Sequence, residues 1–143
     1  MHKQLSNFAE IRIMEVDGST NETPGVDMAN YDGVLFILRA HSASLDVKAI
    51  HGDAVHGTSG LITTGKGDVK DSQITADAQD EVIFYDVYRP GKRYVGLDTG
   101  DDGHVSNKDV FALRYHARNK PVNNEVDDTI QGKVLIDTET GTA

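Results

Sequence analysis

The sequence predicts an all-β domain, a β-sandwich or partly open barrel, carrying extended arms at its N- and C-terminal ends. Short apolar runs rich in β-branched and aromatic residues recur roughly every ten residues with turn formers between them. The 143 residues include 14 glycines, which marks many reversals. No apolar stripe of helical period runs for a useful length.

The elements follow in order along the chain. Residues 1–25 read as a lead-in arm with one alternating piece, Ile11, Ile13 and Val16, before the turn-rich Asp17 to Gly25. Tyr31 to Ala40 contains the continuous apolar run Val34–Leu38, the pattern of a strand covered on both faces. Leu45 to Ile50 alternates apolar with charged residues, as a strand with one wet face does. From His51 to Asp80 the pattern dissolves into Gly, Thr, Ser, Asp and Lys around Leu61, Ile62, Val69 and Ile74. Loops around one or two short strands are expected there, with a helical turn near Ala76 to Ala78.

Glu81 to Val95 is the most decisive stretch. Val82, Ile83, Phe84, Tyr85, Val87 and Tyr88 suit a pleated surface, and Pro90-Gly91 reverses direction into Lys92-Arg93-Tyr94-Val95. A buried hairpin is the expectation. Val110 to Ala117 supplies a further strand, and the core is predicted from Val34–Leu38, Val82–Val87 and Val110–Leu113. The domain is therefore bounded at 26–120. Residues 121–143 form an acidic arm with a last β-like piece, Lys133 to Asp137.

Composition narrows the function. A net charge of −9 and a pI near 4.9 oppose nucleic acid and anionic membrane surfaces, since both select clustered cations. The longest apolar run is far short of the roughly 20 residues that span a bilayer. Glu10, Arg12 and Glu15 interrupt any signal-peptide core, so a soluble protein without a cleaved leader is expected. With no cysteine, disulfides, thiolate metal sites and thiol nucleophiles are excluded.

The chemistry-bearing residues are few. Asp98-Thr99-Gly100 matches the short signature by which aspartic proteases present a carboxylate, but Asp101 and Asp102 would crowd like charges onto it, and a plain turn is the favoured reading. Asp98, Asp101 and Asp102 could also face a hard cation, although their spacing is not that of an EF-hand and a solvated turn is preferred. His51 and His56 flank a segment with Asp53, and His104 and His116 bracket the Val110 strand, without the compact spacing of a zinc site. Gly65-Lys66-Gly67 reads as a turn. Arg89, Lys92, Arg93 and Tyr94 form a small basic patch among aromatics, with Arg89 and Arg93 expected to lie over Tyr85, Tyr88 or Tyr94 and to pair with Asp86. No catalytic, cofactor-binding or metal-binding residue is assigned, and no cofactor is predicted.

The order Gly25-Val-Asp-Met-Ala-Asn-Tyr-Asp-Gly-Val-Leu-Phe36, followed about fifty residues later by Asp86-Val-Tyr-Arg-Pro-Gly-Lys-Arg-Tyr-Val95, resembles a group of small tailed-bacteriophage virion proteins over roughly residues 25–118. The resemblance implies a sandwich-like structural component of the virion, a capsid decoration or cement protein on the capsid surface, made in the host cytoplasm. Its implied partners are the major capsid protein and neighbouring copies of itself as a homo-oligomer. It carries over no catalytic residues. A head-completion or tail-associated collar protein and a carbohydrate-binding module are the alternatives, the latter weakened by the absence of Trp, the usual stacking platform for sugars.

Overall fold

The computed structural model describes residues 10–14, 16–17, 20–40, 42–100 and 110–118. Their strands are β1 (Glu10–Met14), β2 (Val26–Asp27), β3 (Gly33–Arg39), β4 (Asp46–Gly52), β5 (Ala54–Val55), β6 (Ile62–Thr64), β7 (Gly67–Asp68), β8 (Ile74–Thr75), β9 (Val82–Tyr88), β10 (Tyr94–Asp98) and β11 (Val110–Tyr115). Among the described residues there is no helix, and Ala76 to Ala78 makes none. The His104 region and the acidic arm with Lys133 to Asp137 lie outside the described residues.

The strands form a sandwich. One sheet is antiparallel in the order β1-β11-β3-β9; the other runs β2-β10-β4-β7, with β8 also pairing β4. The core lies between them: Met14, Val34, Phe36, Leu38, Ile83, Tyr85, Val110 and Ala112 from the first sheet meet Val26, Val47, Ala49, Val95 and Leu97 from the second. Tyr85 ties the two layers, its hydroxyl donating to the Val47 carbonyl at 2.7 Å.

The major strands alternate between sheets as the chain advances: β1, β3, β9 and β11 lie in one and β2, β4 and β10 in the other. The hairpin expected at Glu81 to Val95 is therefore absent. β9 pairs β3, whereas β10 pairs β2 and β4. The cause is local. Arg89, at φ 49°, still donates to the Asp32 carbonyl at 2.7 Å, and Pro90 then ends the ladder because it has no N–H to give. At the far side Met28 N–H donates to the Arg93 carbonyl at 2.8 Å, which fixes the chain to the other sheet. Pro90-Gly91 is a crossing between layers.

The lead-in also differs from the expected arm at 1–25. Glu10–Met14 pairs β11 in full register, Glu10 opposite Arg114 through Met14 opposite Val110. Met14 and Val16 are buried, as are Glu22 and Thr23. An edge strand needs only alternation and a neighbour, and its neighbour here is about a hundred residues away in sequence, out of reach of a local reading.

The two outer faces are unlike. On the second sheet the short β5–β6 pair covers the outside, with Ile62 buried against it; a Cβ on Gly25 would meet Ile62 Cγ1 at 2.8 Å, so the backbone approach there needs glycine. The first sheet has no such cover among the described residues. β9 was expected to be wholly buried, yet only Ile83 and Tyr85 are, with Val82 62% and Phe84 65% exposed. Ile37 and Phe111 are exposed on the same outer face, so Val34–Leu38 and Val110–Leu113 are core on one side only.

Candidate functional site

Two surfaces stand out, the groove beside the Pro90-Gly91 crossing and the bare outer face of the first sheet. The crossing brings Arg89, Lys92 and Arg93 beside Met28, Tyr31, Asp32, Asp53 and Arg118. Each of three cations there has a carboxylate. Arg93 makes a two-pronged bond to Asp27, Nε to Oδ1 at 3.0 Å and Nη2 to Oδ2 at 2.8 Å. Arg118 Nη2 reaches Asp32 Oδ1 at 3.1 Å, and Lys92 Nζ reaches Asp53 Oδ2 at 3.3 Å while also donating to the Gly65 carbonyl.

The hydrogen bond from Arg93 holds the Asp27 carboxyl below its ordinary range, against an opposing effect of partial burial. Arg114 adds to this from inside the sandwich: its Nη1 donates to the Asp27 carbonyl at 2.6 Å and its guanidinium lies 4.2 Å from the Tyr31 ring centre. Arg89 sits 5.2 Å from the Tyr88 ring centre, and Arg93 at the same distance from that of Tyr94. The stacking expected of Arg89 and Arg93 is thus present, but the pairing with Asp86 is not. Asp86 accepts from the Tyr115 hydroxyl, and Arg93 is drawn to Asp27 because the crossing carries it to the other sheet. Such matched charges order a turn and leave little field to draw in an anion.

The remaining sequence candidates are dispersed. Asp98 Oδ1 accepts from Gly100 N–H at 2.9 Å, and Asp98 Oδ2 lies 3.6 Å from Lys48 Nζ. Thr99 is buried with its hydroxyl on the Asn21 carbonyl, so Asp98-Thr99-Gly100 stands at the end of β10, pinned to the Asn21–Glu22 segment. Asp101 and Asp102 lie outside the described residues. His51 is half-buried on β4, His56 is exposed beside Ser59, and Asp53 is taken by Lys92. Among the described residues no three His, Asp or Glu side chains are placed to share an ion. His116 packs edge-on against Tyr115 and Tyr88, ring centres 5.1 and 6.2 Å away. Lys66 reaches Glu22 Oε1 at 2.7 Å, so Gly65-Lys66-Gly67 is a turn with its lysine tied down.

The outer face of the first sheet escaped the sequence reading. Register aligns Phe111, Ile37 and Phe84 in one row and Leu113, Leu35 and Asp86 in the next, with Arg39 beside Val82 at one end and Tyr115, Gly33 and Tyr88 at the other. Ile11, from β1, stands opposite Leu113. Of the seven large hydrophobic residues left exposed among the described residues, all but Ile74 lie on this face. The signal was present in the unbroken run Val34–Leu38, which asks for cover on both sides. The described chain supplies only one side.

No protein-family model, curated protein or solved structure matches this chain.

Proposed function

We propose that this chain is a virion structural protein, a capsid decoration or cement protein that binds the shell of the major capsid protein and stabilises the head. The observation that carries the reading is the bare apolar face of the four-stranded sheet, with Phe84, Phe111, Ile37 and Val82 in the open. Contiguous apolar surface of this kind is characteristic of a protein contact. The strand sequence that resembles small tailed-phage virion proteins supports the choice of partner, as does an acidic surface unsuited to binding the packaged nucleic acid. In this reading the protein has no catalytic role, the basic groove at Pro90-Gly91 orders the crossing, and the sheet face seats on the shell.

The test adds purified protein to shells that lack it and counts bound copies by quantitative gel. A full shell's complement is expected, with heat resistance of the particles restored. Phe111→Asp, which puts a charge in the middle of the apolar face while leaving the buried core untouched, should abolish both. Failure of the unaltered protein to bind any shell overturns the reading. Binding limited to one vertex replaces decoration with a collar or head-completion role.

A further inference from the structure

We propose that two copies of this chain pair edge to edge through β9, antiparallel about Tyr85, joining their four-stranded sheets into one. This rests on the virion reading only for its setting, since the contact belongs to the chain itself.

The backbone phase of β9 is fixed by its two ends. Ala40 N–H donates to the Glu81 carbonyl at 2.8 Å and Arg89 N–H to the Asp32 carbonyl at 2.7 Å. Bonded pairs alternate in an antiparallel ladder, so Ile83, Tyr85 and Val87 spend their N–H and C=O groups on β3. Val82, Phe84, Asp86 and Tyr88 turn theirs the other way. β9 ends its sheet, so among the described residues no strand meets them.

Edges of this kind are ordinarily blunted by lysine, proline, a bulge or a short length. β9 runs seven residues as VIFYDVY, with none of these devices within it. Its one charge, Asp86, is held by the Tyr115 hydroxyl. The strand thus carries one charge in seven residues on a chain of net charge −9, so two copies approach there against little repulsion.

The strand also complements itself. Antiparallel pairing about Tyr85 uses all seven residues and places Val82 opposite Tyr88, and Phe84 opposite Asp86, of the second copy. These are the residues whose backbone groups point outward. Pairing about Asp86 would instead set two carboxylates face to face, which is unfavourable. Across the Tyr85 axis the exposed row Phe111, Ile37, Phe84 meets the row Asp86, Leu35, Leu113 of the second copy, so the two outer faces join into one surface with a carboxylate on each side of the seam. A single seven-residue edge is small beside the roughly 1,200–2,000 Å² of a stable complex. Association is therefore concentration-dependent and is reinforced where a surface holds copies side by side.

The test uses the full chain without any shell. Sedimentation equilibrium over a rising concentration series should show reversible dimers. Amide hydrogen exchange under the same series should show Val82, Phe84, Asp86 and Tyr88 slowing with concentration, while Ile83, Tyr85 and Val87 stay slow throughout. Phe84→Pro deletes an outward N–H while sparing the β3 ladder, and should weaken dimerisation at least tenfold. Phe111→Ser, two strands from the edge, should leave it within twofold. If Phe84→Pro does not fold, the exchange pattern decides alone. A monomer at every concentration overturns the proposal, as do dimers whose four outward amides stay unprotected, which would mean stacked faces. A monomer that still decorates shells defeats this inference alone, and a dimer that ignores shells defeats only the virion reading.

Discussion

Replacing Thr23 with Val isolates one buried hydrogen bond on which the second sheet depends. Thr23 is fully buried; its N–H donates to the Leu97 carbonyl at 2.8 Å and its hydroxyl oxygen accepts from Leu97 N–H at 2.9 Å. The reason lies in Pro24-Gly25, which keeps β2 from extending, so a side-chain oxygen stands in for the missing strand acceptor. Valine keeps the shape and removes the acceptor. A buried N–H left unmet costs about 1–3 kcal/mol, from which burial of one more methyl recovers about 0.8 kcal/mol. Thr23→Val should therefore lower unfolding free energy by up to about 2 kcal/mol, and by more than its control below. Thr99→Val is the matched control. It is equally buried, but the Asn21 carbonyl it leaves still accepts from Thr99 N–H at 2.8 Å, so its loss should stay below about 1 kcal/mol. Urea denaturation reads both as midpoint shifts at unchanged slope. A Thr99→Val loss equal to or above that of Thr23→Val would refute the reasoning.

Three further outcomes follow from the same contacts. Asp27 has its pKa depressed in the folded state, so its stabilisation is present above the ordinary carboxyl value of 3.8 and is lost as pH falls through the folded value; urea midpoints of Asp27→Asn should trail the unaltered protein at pH 7 and converge with it in acid. Burial pushes Tyr85 up to about 12, so the neutral hydroxyl stabilises the fold fully below its ordinary value of 10.0 and progressively less as pH rises from there to the folded value; Tyr85→Phe should make the alkaline decline in stability shallower. A Cβ at Gly33 would meet Tyr115 Cε2 at 2.6 Å, so Gly33→Ala should cost about 1–3 kcal/mol by overpacking. Tyr115→Ala should remove most of that penalty in the double variant, measured by the same urea midpoints.

Those contacts also mark what a linear reading can and cannot reach. β3, β9 and β11 are visible because Val34–Leu38, Val82–Tyr88 and Val110–Leu113 are largely apolar runs bounded by turn formers, and β4 because Leu45, Val47 and Ala49 alternate with the charged Asp46 and Lys48. Which strand meets which is not visible. Pro90-Gly91 signals reversal equally well for a hairpin and for a crossing; Arg93 pairing with Asp27, 66 positions away, settles it. The same distance problem hides Thr23 under Leu97 and Arg114 under Tyr31, where a polar residue is buried because a remote one satisfies it. At the candidate surfaces the residue types of the basic patch were legible and their carboxylates, apart from the misassigned Asp86, were not. For the outer face even the composition misleads, since an exposed apolar strand and a buried one are spelled alike.

The contrast between the two outer faces supports the proposed interface. Where β5–β6 lies over the second sheet, Ile62 fills the space and Lys48 is matched to Asp68 at 3.1 Å, so that side is complete in the single chain. The first sheet has strands just as apolar and leaves Phe84 and Val82 more than half exposed. Solubility alone would favour polar residues there, at little cost to a core that lies on the other side. Phenylalanine, valine and isoleucine on that face, uncovered among the described residues, fit the proposed seating of a partner there. The β9 edge borders the same face, so the proposed pairing through β9 would join two such faces without covering either. A partner covering that face would meet a paired sheet, and each contact would raise the local concentration that favours the other.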